Sequence, residues 1–472
     1  LFKIDTPSVQ FSNKKLSASV LVQDGHAQRA VLEQEALGGR PGWGRLLQVA
    51  CKIVRSHRLV AMAVSLLLVA AAGCSGSSES GTSAPTTTKA DASKSTTTTT
   101  KTKTVRSAEV LGPDVEGFYD VPDPLPKGPH GTLIRSQVME DYTFTGATTY
   151  RIMYLSESIA GDPIAVTGLA SVPTADAPED GRPMITIAHG TTGIADQCAP
   201  SVTGRNAEMG LVESAFSAKA LIAATDYEGL GTPGRHPYLV GESEGRSTID
   251  AILAAGQLPD ADPGTELGIV GYSQGGHGAL WANQVAAEWA PDLEVVGTFS
   301  GAPASEIGVI IAAASRVKGF GLMVIAGIKA AYPDVDVSEI LTPAGQKVLE
   351  SVDTGCADGV FRAAAASKEE LLTPNGSQSP DWAKLGVAQD AGTEKTNDAP
   401  ILLIHSDKDG TVPTFFIDQV EKRMCANGQV VERVDLAEGN HTQAAVPAYA
   451  QAMDWLQGLF ADKDVAKNTC SE

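Results

Sequence analysis

The stretch LGIVGYSQGGHGALWANQVAAEWA, residues 267–290, decides how the rest of the chain is read. It opens on a short apolar run, Leu267 to Val270, and closes on a helix-like segment. Between them stands Gly271-Tyr272-Ser273-Gln274-Gly275, a G-x-S-x-G motif with strand before it and helix after it. That is the context of a nucleophile elbow. The two glycines allow a turn too tight for any side chain, and the turn lifts the Ser hydroxyl above the sheet. The motif therefore predicts Ser273 as a nucleophile; the plainer alternative is a tight turn with an exposed Ser.

Working outward, short and nearly continuous apolar runs recur at 184–190, 220–227, 295–301 and 401–407, with helical segments between them. Such runs fit strands covered on both faces, and the alternation implies a mostly parallel sheet of the α/β type. Upstream, strand-like runs at 131–139, 148–156 and 163–173 predict an antiparallel start to the sheet. Several apolar runs end in small or polar residues, among them His189-Gly190, Asp226-Tyr227 and Asp407. Ligands in such sheets bind outside the carboxyl ends of the strands.

A neutral Ser hydroxyl is a poor nucleophile and needs a base, with a carboxylate to orient that base. The chain order on this type of elbow is Ser, acid, His. Asp409 lies in HSDKDGTVP after the 401–404 run, with Asp407 as a rival on the same loop. His441 lies in EGNHTQ, after VVERVDL and before a last helical stretch. Among the other histidines, His277 sits one turn into the helix after Ser273, His405 in a strand, His189 in a glycine loop and His236 in a Gly/Pro-rich loop. The tetrahedral intermediate also needs N–H donors. One is expected from Gln274, the residue after the nucleophile, and one from Gly190 or Thr191 in the loop His189–Gly193.

With these residues in view, positions 117–472 resemble the secretory lipase family of α/β hydrolases. The matching stretches are FYDVPDPLP (118–126), IAHGTTGIADQCAPS (187–201), DYEGLGTPGRHPYLVG (226–241), GYSQGGHGALWA (271–282), HSDKDGTVP (405–413) and GNH (439–441). The resemblance implies an α/β-hydrolase fold and a lipase or esterase acting on carboxylic esters of lipids, with Ser273, Asp409 and His441 as its triad. It also implies a helical cap between nucleophile and acid. The sequence supports a cap independently, at about 304–396, where residues 307–332 are almost all apolar. Each uninterrupted run there is too short to span a membrane. The segment reads either as a buried core helix or as a cap wall lining an acyl-chain site. Acyl transfer or amide cleavage on the same scaffold, and a non-catalytic lipid-binding lipoprotein, are the alternative functions.

Residues 52–74 have a basic start, an apolar run and small residues before Cys74, the three-part pattern of an export signal. The end resembles a bacterial lipoprotein signal, with Cys74 as the lipidation site and membrane anchor, although Ala71 stands where Leu is usual. Residues 1–50 read as an upstream extension without function, since the first Met is Met62, inside the apolar run. Residues 75–105 are Ser/Thr-rich and, through 104, lack Leu, Ile, Val, Met and aromatics, which predicts a disordered tether. The folded hydrolase domain is expected over 106–472.

The 472 residues carry a net charge of −20, with residues 1–74 at +5 and the remainder at −25. That argues against nucleic acid as a partner. No His/Cys or carboxylate cluster has metal-ligand spacing and no phosphate loop appears, so no cofactor or metal is expected. Export favours disulfides, and Cys198, Cys356, Cys425 and Cys470 allow three pairings. The family resemblance implies Cys198–Cys356 and Cys425–Cys470, with loop closure worth roughly 5 and roughly 4 kcal/mol at most.

Overall fold

The computed structural model describes residues 8–12, 15–19, 29–31, 108–113, 115–216, 218–463 and 465–470. The export signal, Cys74 and the whole tether segment lie outside them. The chain divides into two compact units, residues 1–99 and 100–472. In the first, strands β1 (Ser8–Ser12), β2 (Lys15–Ser19) and β3 (Arg29–Val31) form a small antiparallel sheet, with Ser8 opposite Ser19 and Ser17 opposite Val31.

The second unit is built on a ten-stranded sheet among the described residues. Its strands are β4 (Glu109–Leu111), β5 (Leu133–Val138), β6 (Ala147–Glu157), β7 (Pro163–Pro173), β8 (Arg182–Ala188), β9 (Leu221–Thr225), β10 (Pro263–Tyr272), β11 (Glu294–Gly301), β12 (Ile401–Ser406) and β13 (Val431–Leu436). They lie in the order β13-β12-β11-β10-β8-β9-β7-β6-β5-β4. From β13 to β9 every neighbour is parallel, while β9–β7, β7–β6 and β6–β5 are antiparallel. The five apolar runs of the sequence are β8, β9, β10, β11 and β12. Their texture has a direct cause: every residue of β9 and β12 is buried, so neither strand shows the alternation of a half-exposed sheet. Strand β10 starts earlier than its apolar run, at Pro263, because its first four residues leave the core and alternate between exposed and half-buried.

Helices cover both faces. On one side α3 (Gly241–Ala255) and α4 (Gln274–Trp289) pack Ile249, Ile252, Ala279 and Ala282 against Leu267 and Ile269. On the other, α2 (Ala207–Phe216), preceded by the single-turn α1 (Pro200–Thr203), joins α11 (His441–Leu459) over Val270, Phe299 and Leu402. Helix α10 (Thr414–Ala426) closes a smaller core with Ile401 and Leu403.

The cap consists of α5 (Ile307–Ala312), α6 (Lys318–Ala331), α7 (Pro343–Leu349), α8 (Ala357–Ala366) and α9 (Pro380–Val387). It has its own core, in which Met323, Val324, Ile325 and Ile328 of α6 meet Ile340, Val352, Val360 and Trp382. The apolar segment 307–332 is thus two helices broken at Ala313–Val317. No helix among the described residues is long and apolar enough to cross a membrane. The segment is core, through Met323, Val324, Ile325 and Ile328 of α6, and it also lines a cavity through Phe320 and α5.

The cap is tied down at two places. Cys198–Cys356 links the start of α8 to the loop after β8, and Ala357 N–H donates to the Thr192 carbonyl at 2.9 Å. Cys425–Cys470 separately ties the C-terminal segment to α10. On the return path Asp390 Oδ1 accepts from the N–H of Ile307 at 2.6 Å and of Gly308 at 3.3 Å, capping α5. Burial, then the nearby Glu306 charge, push the Asp390 carboxyl up to about 6, against the two N–H groups and Arg423. Because this value is raised above that of the unfolded chain, the folded state holds the extra proton between about pH 4 and 6, and ionisation costs stability as pH rises through that window. Asp390→Asn keeps the accepting oxygen without the charge. It should match the wild type below about pH 4 and exceed it above about pH 6 in urea denaturation; equal midpoints at both pH values would contradict this account.

Candidate active site

Strand β10 runs into α4 through a single residue, Ser273, held at φ 62° and ψ −118°. A non-Gly residue there is strained, and the surroundings must over-determine it. Ser273 N–H donates to the Gly301 carbonyl at 2.8 Å, and the Ser273 carbonyl accepts from His277 and Ala304. The flanking glycines are sterically required. A Cβ at Gly271 would lie 2.0 Å from the Gly275 carbonyl oxygen, and one at Gly275 would lie 2.0 Å from that of Ala188.

The loops after β12 and β13 bring the other two side chains to this turn. His441 Nε2 lies 2.8 Å from Ser273 Oγ, and His441 Nδ1 lies 2.6 Å from Asp409 Oδ2. Asp409 Oδ1 accepts from the N–H of Thr411 at 2.8 Å and Val412 at 2.9 Å. Burial works against the Asp409 charge, but the hydrogen bond and charge of His441 and these two N–H groups outweigh it and hold the carboxyl below its ordinary value. The rival Asp407 is exposed on the same loop. His441 opens α11, whose N-terminus is closed by a reciprocal Asn440–Gln443 capping box. The Tyr272 hydroxyl donates to the His441 carbonyl at 2.8 Å and fixes this residue from below.

Of the two loop N–H groups expected as oxyanion donors, that of Gly190 is already engaged: it donates to Glu208 Oε1 at 3.1 Å. Thr191, the other residue expected in this role, follows it in the loop. The Thr191 hydroxyl is paired with Tyr238 at 2.8 Å. The sequence held no signal for Glu208, an acidic residue on a partly exposed helix turn.

Beneath the turn lies a buried polar network. Glu244, fully buried on α3, accepts from the Gln274 side-chain amide at 2.8 Å, from Leu239 N–H at 3.0 Å and from His277 Nδ1 at 2.7 Å. His277 Nε2 reaches the Gln389 carbonyl at 2.8 Å. His236 Nδ1 donates to the Glu228 carbonyl, which leaves Nε2 to accept from the Gln274 amide at 3.1 Å. Burial pushes His236 down to about 4, in keeping with a neutral ring. His277 packs inside the helix rather than facing the site, and His405 is buried in β12 with Nε2 bonded to the Val412 carbonyl.

Two cavities open at Ser273. One, of about 210 Å³, is lined by Val309, Ile310 and Ala313 of the cap, together with Tyr238, Phe320 and Phe416. The other, of about 510 Å³, is lined by His441, Thr191, Arg205, Glu208, Asp358 and again Phe320. A third cleft, of about 890 Å³, lies near Arg182 and Pro263, at the opposite ends of β8 and β10, and contains none of these groups. No group of three or more His, Cys, Asp or Glu among the described residues is placed to hold a metal. The Gly/Pro-rich loop 226–241 both lines a cavity and holds a buried hydrogen-bond centre. Tyr238 and Leu239 line the smaller cavity, while buried Asp226 accepts from Ser201 and Thr167.

A family model described as secretory lipase matches residues 200–468. The chain belongs to the secretory lipase family. It is thereby a carboxylic-ester hydrolase by family. A protein of Mycobacterium tuberculosis named a probable inactive lipase is 24% identical over 389 residues, covering 76% of this chain and 84% of the relative. A secreted triacylglycerol lipase of Malassezia restricta is 26% identical over 353 residues, covering 68% and 74%. Candida antarctica lipase A in its closed state aligns with a TM-score of 0.63 at 18% identity, covering 75% of this chain and 88% of that one. A rice cell wall degrading esterase of Xanthomonas oryzae gives 0.59 at 18% identity, covering 71% and 99%. These structures share the α/β-hydrolase fold with this secretory lipase family member.

The elbow geometry carries its own test. Gly275→Ala drives a methyl into the Ala188 carbonyl and should destabilise the domain by about 3 kcal/mol or more, read from urea denaturation. A variant with wild-type stability would show that the turn is not under this constraint.

Proposed function

We propose that the protein is a serine hydrolase that cleaves carboxylic esters of lipids through a covalent acyl-enzyme. The observation that supports this reading is the continuous chain of hydrogen bonds from Asp409 through His441 to Ser273, at 2.6 and 2.8 Å. In this reading Ser273 Oγ attacks the ester carbonyl while His441 Nε2 takes its proton. The C–O bond to the alcohol then breaks, its electron pair stays on the leaving oxygen, and His441 protonates that oxygen. Asp409 holds the ring in the tautomer with Nδ1 protonated and stabilises the cation. Water repeats the two steps on the acyl-enzyme. The N–H groups of Gln274 and Thr191 bind the oxyanion, and the apolar cavity under α5 and α6 takes the acyl chain.

Export is part of the same reading. It is supported by the signal pattern at 52–74 and by relatives named secreted lipases. Cys74 is the proposed lipid attachment point; Cys74→Ala should move the full chain from the detergent to the aqueous phase on partition, and unchanged partition would remove the anchor.

A fluorophosphonate should form one adduct, at Ser273, and Ser273→Ala should abolish both adduct and esterase activity while keeping the fold. Asp409→Asn should lower kcat by about 10³–10⁴-fold, because the wrong tautomer of His441 is then favoured. Turnover of esters by the purified Ser273→Ala protein would overturn the mechanism.

A further inference from the structure

The two cavities at Ser273 differ in chemistry as well as size. The 210 Å³ cavity has no charged side chain in its wall. The 510 Å³ cavity has Arg205, Glu208 and Asp358, and it alone contains His441 and the loop Gly190–Thr192. Phe320, on α6, borders both. Its ring meets that of Phe361 edge-on at 4.8 Å, so it is braced from the larger side. The bracing is tight, since a Cβ at the neighbouring Gly319 would lie 2.0 Å from Phe361 Cδ1.

This asymmetry bears on the substrate if the proposed mechanism holds. The carbon of the tetrahedral intermediate carries four groups: Ser273 Oγ, the oxyanion, the acyl chain and the departing alkoxide. The alkoxide leaves with the electron pair of its bond to carbon and must receive its proton from His441 Nε2. Its oxygen therefore sits on the His441 side, and its carbon skeleton extends into the cavity that His441 lines. The acyl chain is left with the smaller, uncharged cavity.

We propose that Phe320 is a specificity-determining partition, and that it matches this enzyme to esters joining a compact apolar acyl chain to a bulky, polar alcohol. The alcohol portion occupies the charged 510 Å³ cleft, where Arg205 can donate to its hydroxyls and Asp358 can accept from them. The proposal rests on the Ser273 mechanism and is narrower than it.

The experiment begins by counting active sites with a fluorophosphonate, so that a failed mechanism registers as an unlabelled Ser273. On labelled enzyme, kcat/KM is measured for p-nitrophenyl esters from acetate to hexadecanoate. A second series uses butanoate esters of ethanol, glycerol and glucose. The wild type should lose about tenfold or more between its best short chain and hexadecanoate, and should prefer the polyol esters to ethyl butanoate. Phe320→Ala should raise the dodecanoate-to-butanoate ratio about tenfold by joining the cavities. Ala313→Phe, which fills only the smaller cavity, should move the optimum towards acetate and serves if Phe320→Ala fails to fold. A labelled enzyme with a flat or rising profile to hexadecanoate would overturn the proposal. So would variants that alter the alcohol series and leave the acyl series unmoved.

Discussion

The site depends on one close approach of backbone to backbone. The turn at Ser273 fits between the ends of β8 and β11 only because hydrogen atoms stand where side chains would at Gly271 and Gly275. The left-handed backbone of Ser273 is a local cost, of the order of 1–3 kcal/mol for such a conformation. It is offset by the hydrogen bonds to Gly301 and Ala304 and by the packing of α4 on the buried part of the sheet. Everything reactive is referred to that turn. The loop after β8 passes it on one side, and the loops after β12 and β13 bring the acid and the imidazole from the other. Parallel strands make this convergence possible, because they deliver all their carboxyl ends to the same edge.

The turn is also supported from below by charge and hydrogen bonds. Glu244 gathers three donors, one from the loop before α3 and two from α4, so removing the carboxylate would strand all of them in a buried place. Both ring nitrogens of His277 face acceptors, the Glu244 carboxyl and the Gln389 carbonyl. Gln389 belongs to the return path of the cap, so this buried pair connects the cap to α4, the helix that follows Ser273.

How much of this was legible in the sequence follows from the range of the interactions. The fully buried strands declared themselves as apolar runs, and the elbow as a motif with strand and helix on its flanks. Chain order and strand-end placement restricted the candidate acid and base to a few residues, and Asp409 and His441 lie within hydrogen-bond distance of each other, with His441 also reaching Ser273. The N–H of Gly190, one of the expected oxyanion donors, is bonded to Glu208, 18 residues away, which no local pattern signals. Glu208, Glu244 and Asp226 look like ordinary surface acids in the sequence; only the tertiary structure pairs them. The same holds for Phe320, one aromatic in a long apolar segment until two cavities are seen to share it.

The cap is pinned at two points: Cys356, ahead of α8, is covalently joined to Cys198, and Gln389 on the return path is bonded to His277 of α4. These two ties oppose a door-like swing of the segment between them, α8 and α9. Helices α5 and α6 lie outside that segment and roof the smaller cavity at Ser273. Widening that cavity is then a bending problem, governed by the stiffness of two short helices rather than by a hinge.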